Sequence, residues 1–445
     1  MLRTLYDWVF SLGFWCTAPY HFWRMHRRGN WRAGFRQRFG RYDTKFKQSI
    51  TNRHVLWIHA VSVGEVNLAT QLIRALEPRM PNVKIVVSTT TTTGMGELQR
   101  KTPSHIGKIY YPIDRKRYVA RALGAVKPIA ILLIEAEVWP NFLWRAQSLD
   151  IPVFLVNARL SDRSYHWYLR LGWLFRPLFA SFAGVSAQSE ADAARLQKLG
   201  CRAEVIRVVG SLKFDAAPLE ERTALNVPAL LQQLGVDCSR PILLGGSTHA
   251  GEEALLARVF LRLRAKYPDL FMVLVPRHFE RGREVGEVLA RQKLRFVYRS
   301  EITSHTAYAP GEVDCLLVNT TGELRHFYPV ATVVFVGKSL TAEGGQNPLE
   351  PAAVGKPVLF GPHMENFAEI ARKLIEGGGA RQVRDGEELE QALDLLLSQE
   401  DLREKMGRAA AEVVRQNLGA VERTVEMVLN VVAQRRPDVF IVREC

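Results

Sequence analysis

The chain has 445 residues, with 60 Lys and Arg against 45 Asp and Glu and a net charge of +15. At 47% hydrophobic and 24% charged residues, it is long enough for two or three domains, and disorder, collagen and coiled coil are excluded as whole-chain readings. Five scattered cysteines without a CxxC pair speak against a disulfide scaffold or a Cys-ligated zinc site, and the basicity points to nucleic acid or an anionic membrane surface.

The charge is uneven. Residues 1–47 hold ten Lys and Arg, among them Arg24, Arg27, Arg28 and Arg32, against Asp7 and Asp43. Leu5–Trp23 contains no Lys or Arg and is rich in Trp and Tyr, which favour the headgroup level of a bilayer. A signal peptide would place its basic residues before the apolar part. A spanning helix would not carry Asp7 and an interrupting Pro19. An interfacial anchor on anionic lipid fits the order best, beside the alternative of a buried helix with a solvated basic face.

From residue 54 short apolar runs alternate with helical stretches. Strands are predicted at 54–59, 83–90, 108–112, 129–135, 152–157, 184–188 and 204–210, with helices such as 65–78, 115–125, 139–149 and 189–199 between them. The rhythm breaks over 213–240, which contains Pro218 and Pro228. It restarts with strands at 241–247, 270–276, 295–300, 314–319, 332–337, 357–361 and 380–384. This predicts two doubly wound α/β domains facing a cleft, with ligands outside the carboxyl ends of strands.

The strand ends carry the candidate chemistry. After 54–59, Gly64 is expected to make a tight turn, and Glu65 sits at a helix start, where N–H groups and the dipole favour ionisation. That suits a general base or an ordinary helix-start acid. Glu135 and Glu137 stand at the mouth of strand 129–135 and need a cation, a hydroxylated ligand or a shared proton. Arg159 and Lys213 are the cations, in a substrate site or a structural ion-pair network. In the second half, Gly245 and Gly246 would let a ligand approach the backbone, and Arg277 could fork onto a phosphate. Residues 320–325 form another polar turn into a helix. Gly344 and Gly345 lead through Asn347 to Pro348, read as the first helical residue, and to Glu350, placed to accept two ribose hydroxyls. There is no P-loop, GxGxxG fingerprint or HExxH cluster, so no metal and no cofactor are expected.

Eight stretches in order, HAVSVGEV (59–66), EAEVWPN (135–141), NARLSDRS (157–164), GSLKFD (210–215), GSTHAGEE (246–253), VPRHFER (275–281), GELRHFY (322–328) and GGQNPLEPAA (344–353), resemble the 3-deoxy-D-manno-octulosonic acid (Kdo) transferases. The resemblance implies an inverting GT-B glycosyltransferase with two Rossmann-like domains, a CMP-Kdo donor and a lipid A precursor (lipid IVA type) as acceptor, at the cytoplasmic face of the inner membrane. It implies Glu65 as general base, with Glu135 and Lys213 stabilising the transition state. Pro276, Arg277, Gly322, Glu323, Leu324, Asn347, Pro348, Leu349 and Glu350 would surround CMP. Gln346 stands where the family motif carries His. The implied division is 1–47 as anchor and basic flank, 48–212 binding acceptor, 213–240 as linker, 241–417 binding donor, and 418–445 as a helix crossing back. The alternatives are a GT-B enzyme using another nucleotide sugar, a nucleic-acid-binding protein, or a membrane-tethered scaffold. Against nucleic acid, the basic run adjoins an aromatic apolar segment rather than an RNA module.

Overall fold

The computed structural model describes residues 2–27, 32–216, 225–237 and 239–440. Arg28, Pro218, Cys238, Cys445 and the end of the 418–445 segment lie outside the described residues. The chain divides into two compact units, Met1–Ala216 with Leu418–Cys445, and Ala217–Asn417. The 213–240 stretch divides between them. Lys213 and Phe214 belong to the first, and the helix Val227–Gln233, with Leu231 buried, belongs to the second.

The first unit is built on strands β1 (His54–His59), β2 (Val83–Thr89), β3 (Gly107–Tyr110), β4 (Pro128–Ile134), β5 (Val153–Ala158), β6 (Gly184–Ala187) and β7 (Ile206–Val208). All pair in parallel, in the order β3-β2-β1-β4-β5-β6-β7. Alternate residues fill opposite faces. Val55, Trp57, Ile131, Leu133 and Leu155 pack one side, and Leu56, Ile58, Ala130, Leu132 and Val156 pack the other. Burial on both faces explains why the central strands β1, β4 and β5 read as unbroken apolar runs. The second face is covered partly by the helix Ala420–Arg435, through Val425, Val428 and Val432. Asp215 fixes that helix, its carboxylate accepting the N–H groups of Gly419 and Val421 at 2.6 Å each.

The second unit has β8 (Ile242–Thr248), β9 (Phe271–Pro276), β10 (Phe296–Tyr298), β11 (Cys315–Leu317), β12 (Val333–Val336), β13 (Val358–Phe360) and β14 (Ala380–Gln382). They form a parallel sheet in the order β10-β11-β9-β8-β12-β13-β14. In each sheet the strand order reverses at the first strand of the unit, between β1 and β4 and between β8 and β12. Doubly wound sheets bind ligands at such switch points.

The N-terminal helix, Leu2–Arg27, differs from expectation. Pro19 lies inside it rather than interrupting it. Asp7 accepts the Lys116 N–H at 2.9 Å and the Asn141 side-chain amide at 3.0 Å, so it docks the helix onto the first unit. Tyr6 donates to the buried Asp114 at 3.0 Å and packs edge-on against Trp144. The face with Trp8, Leu12 and Trp15 is open to solvent, Trp8 at 74% exposure. Among the described residues, no helix is long and apolar enough to cross a membrane.

Candidate active site

Glu65 follows β1 at the switch point of the first sheet. Ser62 caps the helix Val63–Leu76, its hydroxyl oxygen facing the Glu65 N–H at 3.3 Å. The same hydroxyl donates to Glu65 Oε1 at 2.8 Å, and the Val61 N–H donates to Oε2 at 2.9 Å. The exchange resembles a capping box, except that Glu65 reaches past the N-cap Ser62 to the N–H of the residue before it. Gly64 lies within the helix and not in a tight turn. The hydroxyls of Thr89 and Thr91 both donate to the Val61 carbonyl, pinning the loop that holds Glu65. Ionisation of Glu65 is not favoured, contrary to the expectation from its helix position. Burial, aided by the charges of Glu135 and Glu137, outweighs the two hydrogen bonds and pushes the carboxyl up to about 7.

Glu135 follows β4, the other strand of the switch point. It adopts φ +63°, a left-handed conformation that costs roughly 1–3 kcal/mol in a residue bearing a Cβ. Its N–H still bonds the Val156 carbonyl of β5 at 2.9 Å. The sharp turn lets Glu135 and Glu137 leave the strand end together. Asn157, at φ +55°, solves a similar problem on β5. Its side-chain carbonyl accepts the Leu212 N–H at 3.0 Å and so anchors the segment carrying Lys213. The Lys213 ammonium senses Glu135, Glu65 and Arg159. Burial and Arg159 depress its pKa, while the two carboxylates oppose them. The first unit thus assembles three carboxylates and two cations, Lys213 and Arg159, from four chain segments.

In the second unit, the glycines expected to cradle a ligand lie within β8 and face protein. A Cβ on Gly245 would meet Leu274 and Leu256, and one on Gly246 would meet Leu324. The switch point is organised instead by Glu252, which is fully buried. Its carboxylate accepts the N–H groups of His249 (2.9 Å), Lys338 (2.7 Å), Ser339 (2.8 Å) and Leu340 (3.0 Å), tying the loops after β8 and β12 together. Pro276 ends β9, and Arg277 is exposed beyond it, its N–H on the Thr248 carbonyl. Gly322 turns at φ +85° into Glu323 and Leu324. The Glu323 carboxylate is held by the Thr320 hydroxyl at 2.7 Å and pairs with Arg299. Pro348 caps rather than begins the short helix Leu349–Ala353. Asn347 crosses that start, accepting from the Leu349 N–H and donating to Glu350 Oε1, both at 3.1 Å.

Glu65, Glu135, Glu137 and Arg159 therefore follow the carboxyl ends of the central strands β1, β4 and β5 in the first unit, and Lys213, whose ammonium senses Glu135, Glu65 and Arg159, joins them from the segment after β7. Pro276, Arg277, Gly322, Glu323, Leu324 and Asn347–Glu350 follow strands of the second. Asn157 and Glu252 were missed as positioning residues. An Asn at a strand end, able to take φ > 0, was the available signal for the first.

The family model described as 3-deoxy-D-manno-octulosonic-acid transferase matches residues 33–216. The 3-deoxy-D-manno-octulosonic acid transferase of Haemophilus influenzae is 34% identical over 398 residues, covering 88% of this chain and 91% of its own. That of Bordetella pertussis is 34% identical, covering 91% of this chain and 94% of its own. A glycosyltransferase from Rickettsia africae of known crystal structure shares the fold, with a TM-score of 0.57 at 15% identity, across 86% of this chain and 99% of that one. A third of the residues match along nearly the full length of two such transferases, and the chain belongs to the 3-deoxy-D-manno-octulosonic acid transferase family of glycosyltransferases.

Proposed function

We propose that the protein moves Kdo from CMP-Kdo to a lipid A precursor of the lipid IVA type in lipopolysaccharide assembly, inverting the anomeric centre. The observation that carries this reading is Glu65, buried beside two further carboxylates with its carboxyl raised to about 7. A base of that pKa is half ionised near neutral pH and strong enough to take an acceptor proton as the hydroxyl attacks. Such a group contributes ~10²–10⁴-fold.

In this reading the acceptor oxygen bonds to the anomeric carbon as the bond from that carbon to the CMP phosphate oxygen breaks. Glu65 receives the hydroxyl proton and CMP leaves with the bonding pair. Lys213 and Glu135 stabilise the charge that develops. In the second unit the Glu323 carboxylate is already taken by Thr320 and Arg299. The Gly322–Leu324 stretch therefore offers CMP its backbone. Arg277 supplies a cation for the phosphate, and Pro276 and Asn347–Glu350 complete the pocket. No resident cofactor takes part.

The exposed Trp8, Leu12 and Trp15 support an interfacial role for the N-terminal helix, on anionic lipid at the cytoplasmic face of the inner membrane. Transfer is tested with CMP-Kdo generated in situ and a tetraacyl lipid A precursor, the product read by mass spectrometry and its anomeric configuration by NMR. CMP is expected to inhibit and UDP is not. Inhibition by UDP alone points to a different nucleotide sugar.

A further inference from the structure

A cavity in the first unit is walled by aromatic rings, and its only charged lining residues are arginines. The 3-10 turn Phe35–Phe39 forms one side, with Phe35, Phe39, Arg36 and, just past the turn, Arg41. The helix Lys116–Val126 forms the other, with Tyr118, Arg117 and Arg121. The cavity holds about 360 Å³, more than a lone phosphate fills.

The two sides are locked together. Gly40 ends the turn at φ +68°, and a Cβ there would meet the Tyr118 carbonyl oxygen at 2.5 Å and the Arg121 Cβ at 2.9 Å. Glycine is what lets turn and helix approach so closely. Phe39 packs edge-on against Phe35 and Tyr118, with ring centroids 5.2 and 5.1 Å apart. Behind the turn, Arg38 donates to the Thr90 carbonyl at 2.7 Å and lies over the Tyr110 ring. The Tyr110 N–H in turn donates to the Gln37 side chain at 2.9 Å.

The charge pattern is a separate observation. Several helical arginines of this chain face a glutamate three or four residues away, as in Arg100–Glu97, Arg372–Glu369 and Arg415–Glu412. Arg117 and Arg121 stand four apart on one helix with no acid between them, a spacing that is unfavourable for like charges. Arg36 and Arg41 bring two more cations from the turn. Among the described residues, none of the four guanidiniums has a hydrogen bond or an ion pair. Four permanent cations around one concave surface concentrate positive potential there, and an anion relieves their repulsion. Guanidinium forks match phosphoryl oxygens, and the rings offer contact to whatever carries them.

We propose that this arginine pocket is a binding site for a phosphoryl group. None of its lining residues is among those assigned to CMP or to the transfer step, so the proposal stands apart from that reading. A lipid headgroup and a free phosphate share the chemistry it recognises. The helix bearing Arg117 and Arg121 begins where the N-terminal helix docks, since the Lys116 N–H bonds Asp7.

The test is arginine footprinting of the full chain with phenylglyoxal, read residue by residue by mass spectrometry against chloride of matched ionic strength. One probe is inorganic phosphate. The other is phosphatidylcholine vesicles containing phosphatidic acid, with oleate in its place as the charged control. Modification of Arg36, Arg41, Arg117 and Arg121 is expected to slow several-fold with one probe or both, while the exposed Arg207 and Arg258 react as before. Protection by phosphate supports the site with a soluble ligand, and protection by phosphatidic acid alone supports it with a lipid headgroup. No protection by either probe overturns the proposal. So does equal protection by oleate vesicles with none by phosphate, which marks a docked surface and not a phosphoryl site. Arg117→Gln combined with Arg121→Gln leaves the turn and Gly40 in place. Its affinity for the protecting probe is expected to fall at least about tenfold, since two charge-assisted hydrogen-bond donors are lost. Arg207→Gln combined with Arg258→Gln carries the same net charge and is expected to bind as the wild type does. Equal affinities in the two double variants overturn the proposal.

Discussion

Burial and two neighbouring carboxylates hold the Glu65 carboxyl near 7, while the Val61 N–H and the Ser62 hydroxyl pull it back. The capping partners decide its geometry, and burial decides its proton affinity. Because the folded-state value lies above the ordinary 4.5, the folded protein binds this proton more tightly than the unfolded chain does. The stability it contributes is full below about 4.5 and is lost as pH rises through about 7. Asp114, raised from 3.8 to about 7 by burial, adds a loss in the same direction. Glu65→Gln removes one of the two. Its Tm relative to wild type is therefore expected to rise by a few degrees between pH 5 and pH 8 in calorimetry. A Tm difference that stays constant over that range contradicts the raised carboxyl. Transfer itself should increase through the same interval, since only the ionised form accepts a proton.

At the scale of elements, the N-terminal helix has two unlike faces. Tyr6 and Asp7 tie one to Asp114, Lys116 and Asn141, while Trp8, Leu12 and Trp15 leave the other bare. Trp8→Ser combined with Trp15→Ser is expected to reduce flotation with anionic vesicles at least several-fold, without loss of fold by circular dichroism. Unchanged flotation removes the interfacial role from this face. The fourteen strands among the described residues were legible in the sequence, the central ones because burial on both faces leaves no polar alternation to confuse them, and the short edge strands β7 and β14 because β and α segments alternate regularly. The loops were less legible. Asp7 read as a charge out of place because its partner Asn141 lies 134 residues away. Asp215 read as part of a motif, although it caps a helix 204 residues further on. Glu252 stood in the sequence only as one residue of the GSTHAGEE motif, and it binds four N–H groups of the protein itself. Each of these carboxylates is chosen by a partner distant in sequence, which periodicity does not reveal.

Across the whole molecule, two parallel sheets each reverse strand order at the first strand of their unit, and the candidate residues follow strands at or near those reversals. The carboxylates and Lys213 lie in the unit that also contains the N-terminal helix, where a lipid acceptor would be met. The residues assigned to CMP lie in the other. The net charge of +15 belongs in large part to the first 47 residues, the segment for which the lipid-surface role is proposed. The central claim is that Glu65 is the base of a Kdo transfer. Its most direct test compares wild type with Glu65→Gln for transfer to a tetraacyl lipid A precursor, by mass spectrometry, with CMP binding measured by calorimetry on both. Wild type is expected to add Kdo, and Glu65→Gln to lose at least a hundredfold in rate while binding CMP unchanged. Transfer by Glu65→Gln at near wild-type rate would contradict the account.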